Sequence, residues 1–197
     1  MSDQFQHVMV LTSIIIGLGI THALIGFSTV IDRVSGSREP LRLSWAWGFW
    51  LAFVFIWMVQ FWWWEFRLLS ILKVWSMSNY LLVVIYAVVL FMLVALLVPR
   101  KWDEVEDLGA YFLSKRRWFY SFLLLGMAFD VADSVMKGGL AYIEANGALT
   151  WLQWIAMLPA SIVGFRSTSV RLHATLAIVF FVWTAVIGFE VLPLLGL

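Results

Sequence analysis

Three ionisable residues stand inside an apolar stretch of this 197-residue chain: Asp130, Asp133 and Lys137, spaced i, i+3 and i+7. That spacing places all three on one face of an α-helix, and Gly126 shares the face. An aspartate near the middle of a bilayer costs roughly 2.5–3.5 kcal/mol on insertion scales, so something must compensate it. Two kinds of compensation are open. In the first, Asp133 pairs with Lys137 at i, i+4 and Asp130 is protonated or hydrogen-bonded to a neighbouring helix, and the group only holds the protein together. In the second, the acids face a water-filled cavity and bind or relay a cation or proton.

Other residues extend the second reading. Glu65 and Glu190 fall near the ends of apolar runs on the same expected side as Asp130 and Asp133, and four acids there would attract cations. His22, between Gly19 and Gly26, titrates near neutral pH and would carry a proton path inward. Its plainer use is a hydrogen bond between helices. Arg166 and Arg171, flanking Ser167, Thr168 and Ser169, would seat an anionic headgroup or serve as ordinary topology-setting charge. His173 reads as an interfacial histidine. Axial ligation of a haem by His22 and His173 is a remote third option, because their depths differ by several ångströms on this topology.

Composition says what must position these side chains. Hydrophobic residues make up 63% of the chain and charged residues 13%, against roughly a quarter charged in soluble domains. The expected fold is therefore all-α, a polytopic membrane bundle forming a single domain over residues 1–197. Spans are expected at 8–30, 43–64, 78–98, 117–138, 147–165 and 171–193, each near the roughly 20 residues that cross a bilayer. A barrel is excluded because 81–98 shows no alternation of period two. The first seven residues carry no Lys or Arg, which argues against a cleaved signal peptide.

The loops after spans one, three and five hold ten of the 13 basic residues: Arg33, Arg38, Arg42, Arg100, Lys101, Lys115, Arg116, Arg117, Arg166 and Arg171. Only Arg67, Lys73 and Lys137 lie on the other side. By the positive-inside rule both termini are expected outside, on the periplasmic face of a bacterial inner membrane. Asp130 would then lie slightly outside the midplane, Asp133 a turn higher and Lys137 at the outer surface.

Several local features carry expectations. In span two, Trp45, Trp47 and Trp50 at one end and Trp62, Trp63 and Trp64 at the other read as two aromatic belts, with Trp57 and Trp183 as lipid-facing filler. In 99–117, Asp103, Glu104, Glu106 and Asp107 precede Lys115, Arg116 and Arg117, the charge order of a short amphipathic surface helix with Trp102, Val105, Leu108 and Phe112 on one face. A segment around Arg67, Ser70 and Lys73 should lie along the outer surface or lengthen span two. Ser13 with Gly17, and Gly19 with Ala23, are small pairs four apart, which predicts that span one is buried in the bundle or at a subunit contact. Pro159 predicts a kink or break in span five. Three spans followed by three admit an inverted repeat.

The absence of cysteine removes disulfides, thiolate metal sites and cysteine nucleophiles. No H-E-x-x-H or G-x-S-x-G motif occurs, so an enzyme is not expected, and neither a cofactor nor a metal site is indicated. A net charge of +1 without a basic stripe gives no reason to expect nucleic acid. The leading expectation is a small channel or secondary transporter for a cation or proton, in contact with lipid and assembled as a homo-oligomer. The alternative is a non-transporting membrane subunit or assembly partner whose polar residues only join helices.

Overall fold

The computed structural model describes residues 3–36, 41–72, 75–145 and 148–194. Its elements are α1 (Asp3–Ser35), α2 (Trp45–Glu65), α3 (Leu68–Ile71), α4 (Met77–Leu97), α5 (Leu108–Ala145), α6 (Ala148–Arg166) and α7 (Val170–Leu194), with a 3-10 turn at Trp102–Glu104. No strand occurs among the described residues; one isolated bridge joins Arg42 to Asp107. Four helical stretches are long and apolar enough to cross a membrane: Phe5–Ser35, Trp45–Ile71, Met77–Leu97 and Leu108–Ala145. At about 1.5 Å per residue, the 21 residues of α4 already match a hydrocarbon core of about 30 Å. A shorter apolar stretch covers Val170–Val186 in α7.

Successive long helices run up and down, as contacts at the two ends show. At one end Arg33 Nη1 donates to the carbonyls of Trp102 and Val105, Trp47 Nε1 donates to the carbonyl of Leu97, and the Tyr120 hydroxyl meets His173. At the other end Trp62 Nε1 donates to Ser13 Oγ, Lys137 meets Glu65, and Arg67 Nη1 donates to the Tyr142 hydroxyl. The first is the basic end of the bundle. The helix α2 is central, packing on α1, α4, α5 and α7. It is apolar on every side because it is covered on most sides.

The connector before α5 differs from the expected amphipathic helix. Asp103 and Glu104 lie in the 3-10 turn, and the chain then extends to pair with Arg42: Arg42 N donates to Glu106 O, and Leu108 N to Arg42 O. Asp107 caps α5, its Oδ1 accepting from Gly109 N and Ala110 N at 2.7 and 2.9 Å. A cap satisfies donors that a helix start otherwise leaves open, so Asp107 starts the membrane-length helix α5, and Asp103, Glu104 and Glu106 lie in the connector before it. Val105, Leu108 and Phe112 still point inward, each 9% exposed or less. On the opposite end, α3 follows α2 after a brief turn, so the segment lengthens span two.

Three further expectations are corrected. Trp47 and Trp50 are core residues rather than belt residues, at 3% and 0% exposed, and Trp50 packs among Phe112, Phe119, Tyr120 and Phe180. In α1, Gly19 packs against Met58 and Phe91 and Ala23 is buried, but Gly17 faces open space. One stripe of α1 therefore packs on α2 and α4, while Ile14, Leu18, Leu24 and Phe27 stay exposed, so span one is not buried within the bundle of one chain. Finally, α6 continues through Pro159 without breaking, and the backbone break falls instead in α5 at Gly138 and Gly139. Gly139 has φ 63° and ψ −150°, a region that only glycine adopts readily.

Candidate functional site

The break at Gly138 makes Lys137 the last helical residue of a membrane-length segment, at the negative end of that helix. Its ammonium is buried, 4% exposed, and lies 3.0 Å from Glu65 Oε1 and 2.5 Å from Asp133 Oδ2. Lys137 thus sits inside the bundle rather than at its outer surface. The i, i+4 pair with Asp133 is present as expected, and Glu65 joins it from the end of α2, across 72 residues of sequence.

Asp130 lies one turn deeper and is held by two neutral donors. The Tyr86 hydroxyl of α4 donates to Oδ1 at 3.1 Å, and Trp154 Nε1 of α6 donates to Oδ2 at 2.9 Å. Tyr86 in turn accepts from Trp57 Nε1 at 3.0 Å. Trp57 is therefore not lipid-facing filler. Its indole lies against Gly126, where an added Cβ would fall 2.9 Å from Trp57 Cη2, so glycine makes room for the ring.

Glu65, Asp130, Asp133, Lys137, Tyr86 and Trp57 line a cavity of about 110 Å³. Its acidic wall is Glu65, Asp130 and Asp133 with Lys137, and its polar wall is Gln60, Ser134, Gln153 and Thr184. Trp57, Phe61, Trp64, Tyr86 and Tyr142 supply aromatic faces, with the Phe61 and Tyr86 rings 4.8 Å apart. Arg67 stacks over Trp64, its Cζ 4.4 Å from the ring centroid. Phe53, Leu123, Met127 and Phe180 line the side toward the basic end. Two carboxylate oxygens of the cluster, Glu65 Oε2 and Asp133 Oδ1, are buried without a hydrogen-bond partner. Buried acceptors are rarely left in that state.

Of the remaining expected residues, those with described side chains do not line this cavity. His22 of α1 sits against Phe91 of α4, with ring centroids 6.4 Å apart. The side chain of Glu190 lies outside the described residues. Arg166 and Arg171 are exposed at the basic end. His173 is fully buried instead of interfacial, Nδ1 lying 2.9 Å from the Tyr120 hydroxyl and Nε2 3.2 Å from Ser167 O. A haem shared by His22 and His173 does not fit, because α2 packs against both α1 and α7. Among the described residues no group of His, Cys, Asp and Glu is arranged to hold a metal ion.

Sequence reading missed the aromatic half of the site: Trp57, Tyr86, Trp154 and Tyr142. One signal was present, since Gly126 shares a face with Asp130 and marks where a large neighbour approaches. Fold and site together define an all-helical protein with membrane-length helices and an acidic, aromatic-walled cavity between them. Comparison with protein-family models, curated proteins and solved structures finds no match.

Proposed function

We propose that this is a polytopic membrane protein of six spans that binds a cation in the cavity at Asp130 and carries it across the bilayer. The observation that supports this best is the cavity wall: three carboxylates and one lysine line it, Arg67 stands behind Trp64 and Tyr142, and two carboxylate oxygens lack hydrogen-bond partners. Two helix C-termini, those of α2 and of the first part of α5, add their negative ends. An apolar bundle with this arrangement gains from a further positive charge.

A carrier is favoured over an open pore. Toward the basic end the bundle is filled by Trp50, Phe112, Phe119, Tyr120 and Phe180, each under 2% exposed. Conduction through that layer needs helices to move, whereas a site reached from one side at a time is the usual arrangement in secondary transporters. His22, away from the cavity, has no part in the path. Helix pairing differs between the two halves: α1 packs along α4, while their counterparts α5 and α7 share no comparable contact among the described residues. With the basic end in the cytoplasm, the cavity opens in the outer half and both termini are outside.

One observation favours the second reading, a non-transporting partner subunit. Glu65, Lys137, Asp133 and Asp130 all have protein partners, which is how polar residues join helices in lipid. The two readings separate in liposomes holding equal amounts of wild type and Asp130→Asn. Cation uptake by the wild type that falls at least tenfold in the variant, with assembly intact, supports the carrier; uptake by neither supports the partner subunit.

A further inference from the structure

We infer that the cation is organic and carries N–H donors: a primary or secondary ammonium, or a guanidinium, on a small apolar body. This deepens the carrier reading and rests on it. Three features of the cavity separate such a ligand from a bare metal ion.

The first is the kind of polar atom left over. Glu65 and Asp133 are 1% and 6% exposed, both line the cavity, and each has one carboxylate oxygen without a partner. Both oxygens are closed to solvent in the empty site, so a ligand reaches them as the two side chains turn toward the cavity, and there they accept hydrogen bonds. The Lys137 ammonium, gripped by the other oxygens of the same two carboxylates, is a tethered example of the chemistry the cluster accepts. A quaternary ammonium, with no N–H, leaves both acceptors unmet.

The second is what the cluster lacks. A hard divalent ion takes six to eight oxygens, or keeps its waters in an open polar site. Among the described residues no such ligand group is assembled, and both Asp130 oxygens are already engaged by Tyr86 and Trp154. Asp130 can balance charge from that position without binding the cation directly.

The third is the wall. Trp57, Phe61 and Tyr86 form an edge-to-face aromatic group beside Asp130, with centroid separations of 4.8 Å for Phe61 and Tyr86 and 6.3 Å for Trp57 and Tyr86. Aromatic faces attract organic cations and bury their apolar parts. A hydrated metal ion gains little from them. The cavity of about 110 Å³ admits a small molecule.

The test is calorimetric titration of the full chain in lipid nanodiscs with butylammonium, benzylammonium and guanidinium. Tetramethylammonium, Na⁺, K⁺, Mg²⁺ and Ca²⁺ are compared, and 1-butanol controls for partition into lipid. Saturable binding of a primary ammonium or guanidinium is expected, at least tenfold tighter than tetramethylammonium and weakened at least tenfold by Asp130→Asn. Ser134→Phe, which adds bulk at the cavity wall without removing a charge, should abolish it as well, and it serves if Asp130→Asn does not fold. Binding of inorganic cations alone, sensitive to Asp130, overturns the ligand class and leaves the cation reading standing. No binding of any cation overturns both. Ammonium heats unchanged by both variants are lipid partition and also overturn the inference.

Discussion

Lys137 Nζ lies 3.0 Å from Glu65 Oε1, so one buried hydrogen bond ties the end of α2 to the last turn of α5 before its glycine break. With Asp133 on its other side, the lysine separates two carboxylates that would otherwise face each other without compensation. This arrangement is both a fastening and the edge of the proposed binding site, and the two roles respond differently to substitution.

Lys137→Met should destabilise the protein by about 3–5 kcal/mol, because removing one partner of a buried ion pair leaves uncompensated charge. Adding Glu65→Gln and Asp133→Asn to Lys137→Met should recover much of the loss. Unfolding in detergent monitored by circular dichroism measures both; a single variant as stable as wild type would show that the lysine compensates nothing.

Tyr86→Phe removes the hydroxyl that accepts from Trp57 and donates to Asp130. Leaving buried polar atoms unsatisfied should cost about 1–3 kcal/mol. Asp130 also loses the donor that orients it, so cation uptake should show a raised KM in liposomes. An unchanged KM would mean that the Tyr86 bond serves folding alone.

Gly126→Ala should force Trp57 to move, since the new Cβ would sit 2.9 Å from Trp57 Cη2. Overpacking of this kind costs about 1–3 kcal/mol. Phenylalanine has no atom at that place, so Trp57→Phe combined with Gly126→Ala should be more stable than the sum of the two single effects. Strict additivity in thermal unfolding would contradict the contact.

At the opposite end, Tyr120→Phe takes the hydroxyl from the buried His173 ring. Stability should fall by about 1–3 kcal/mol, while uptake per folded molecule stays at the wild-type level. A selective loss of uptake would bring the basic end into the transport path.

How much of this was legible in the sequence follows from how each residue is constrained. The helical fold was, with four of the expected spans appearing as helices long and apolar enough to cross a membrane, because long apolar runs favour helix. The pairing of Asp133 with Lys137 was legible too, because i, i+4 spacing fixes it locally. Glu65 was flagged only by depth; its meeting with Lys137 depends on how α2 is rotated. That rotation is what the sequence hides, since α2 is apolar all round and no periodicity says that Trp57 and Trp50 face inward. The same ambiguity concealed Tyr86 and Trp154. The break at Gly138 and Gly139 went unnoticed beside Pro159, although paired glycines next to a buried lysine allow a helix to end there.

The central claim is that a cation occupies the Asp130 cavity and is carried rather than conducted. Counterflow tests it most directly: liposomes preloaded with unlabelled butylammonium are diluted into trace labelled butylammonium, with wild type and Asp130→Asn incorporated equally. The carrier reading predicts a transient overshoot of label above equilibrium in the wild type and none in the variant. Label that only rises to equilibrium, or an overshoot that survives Asp130→Asn, would contradict it.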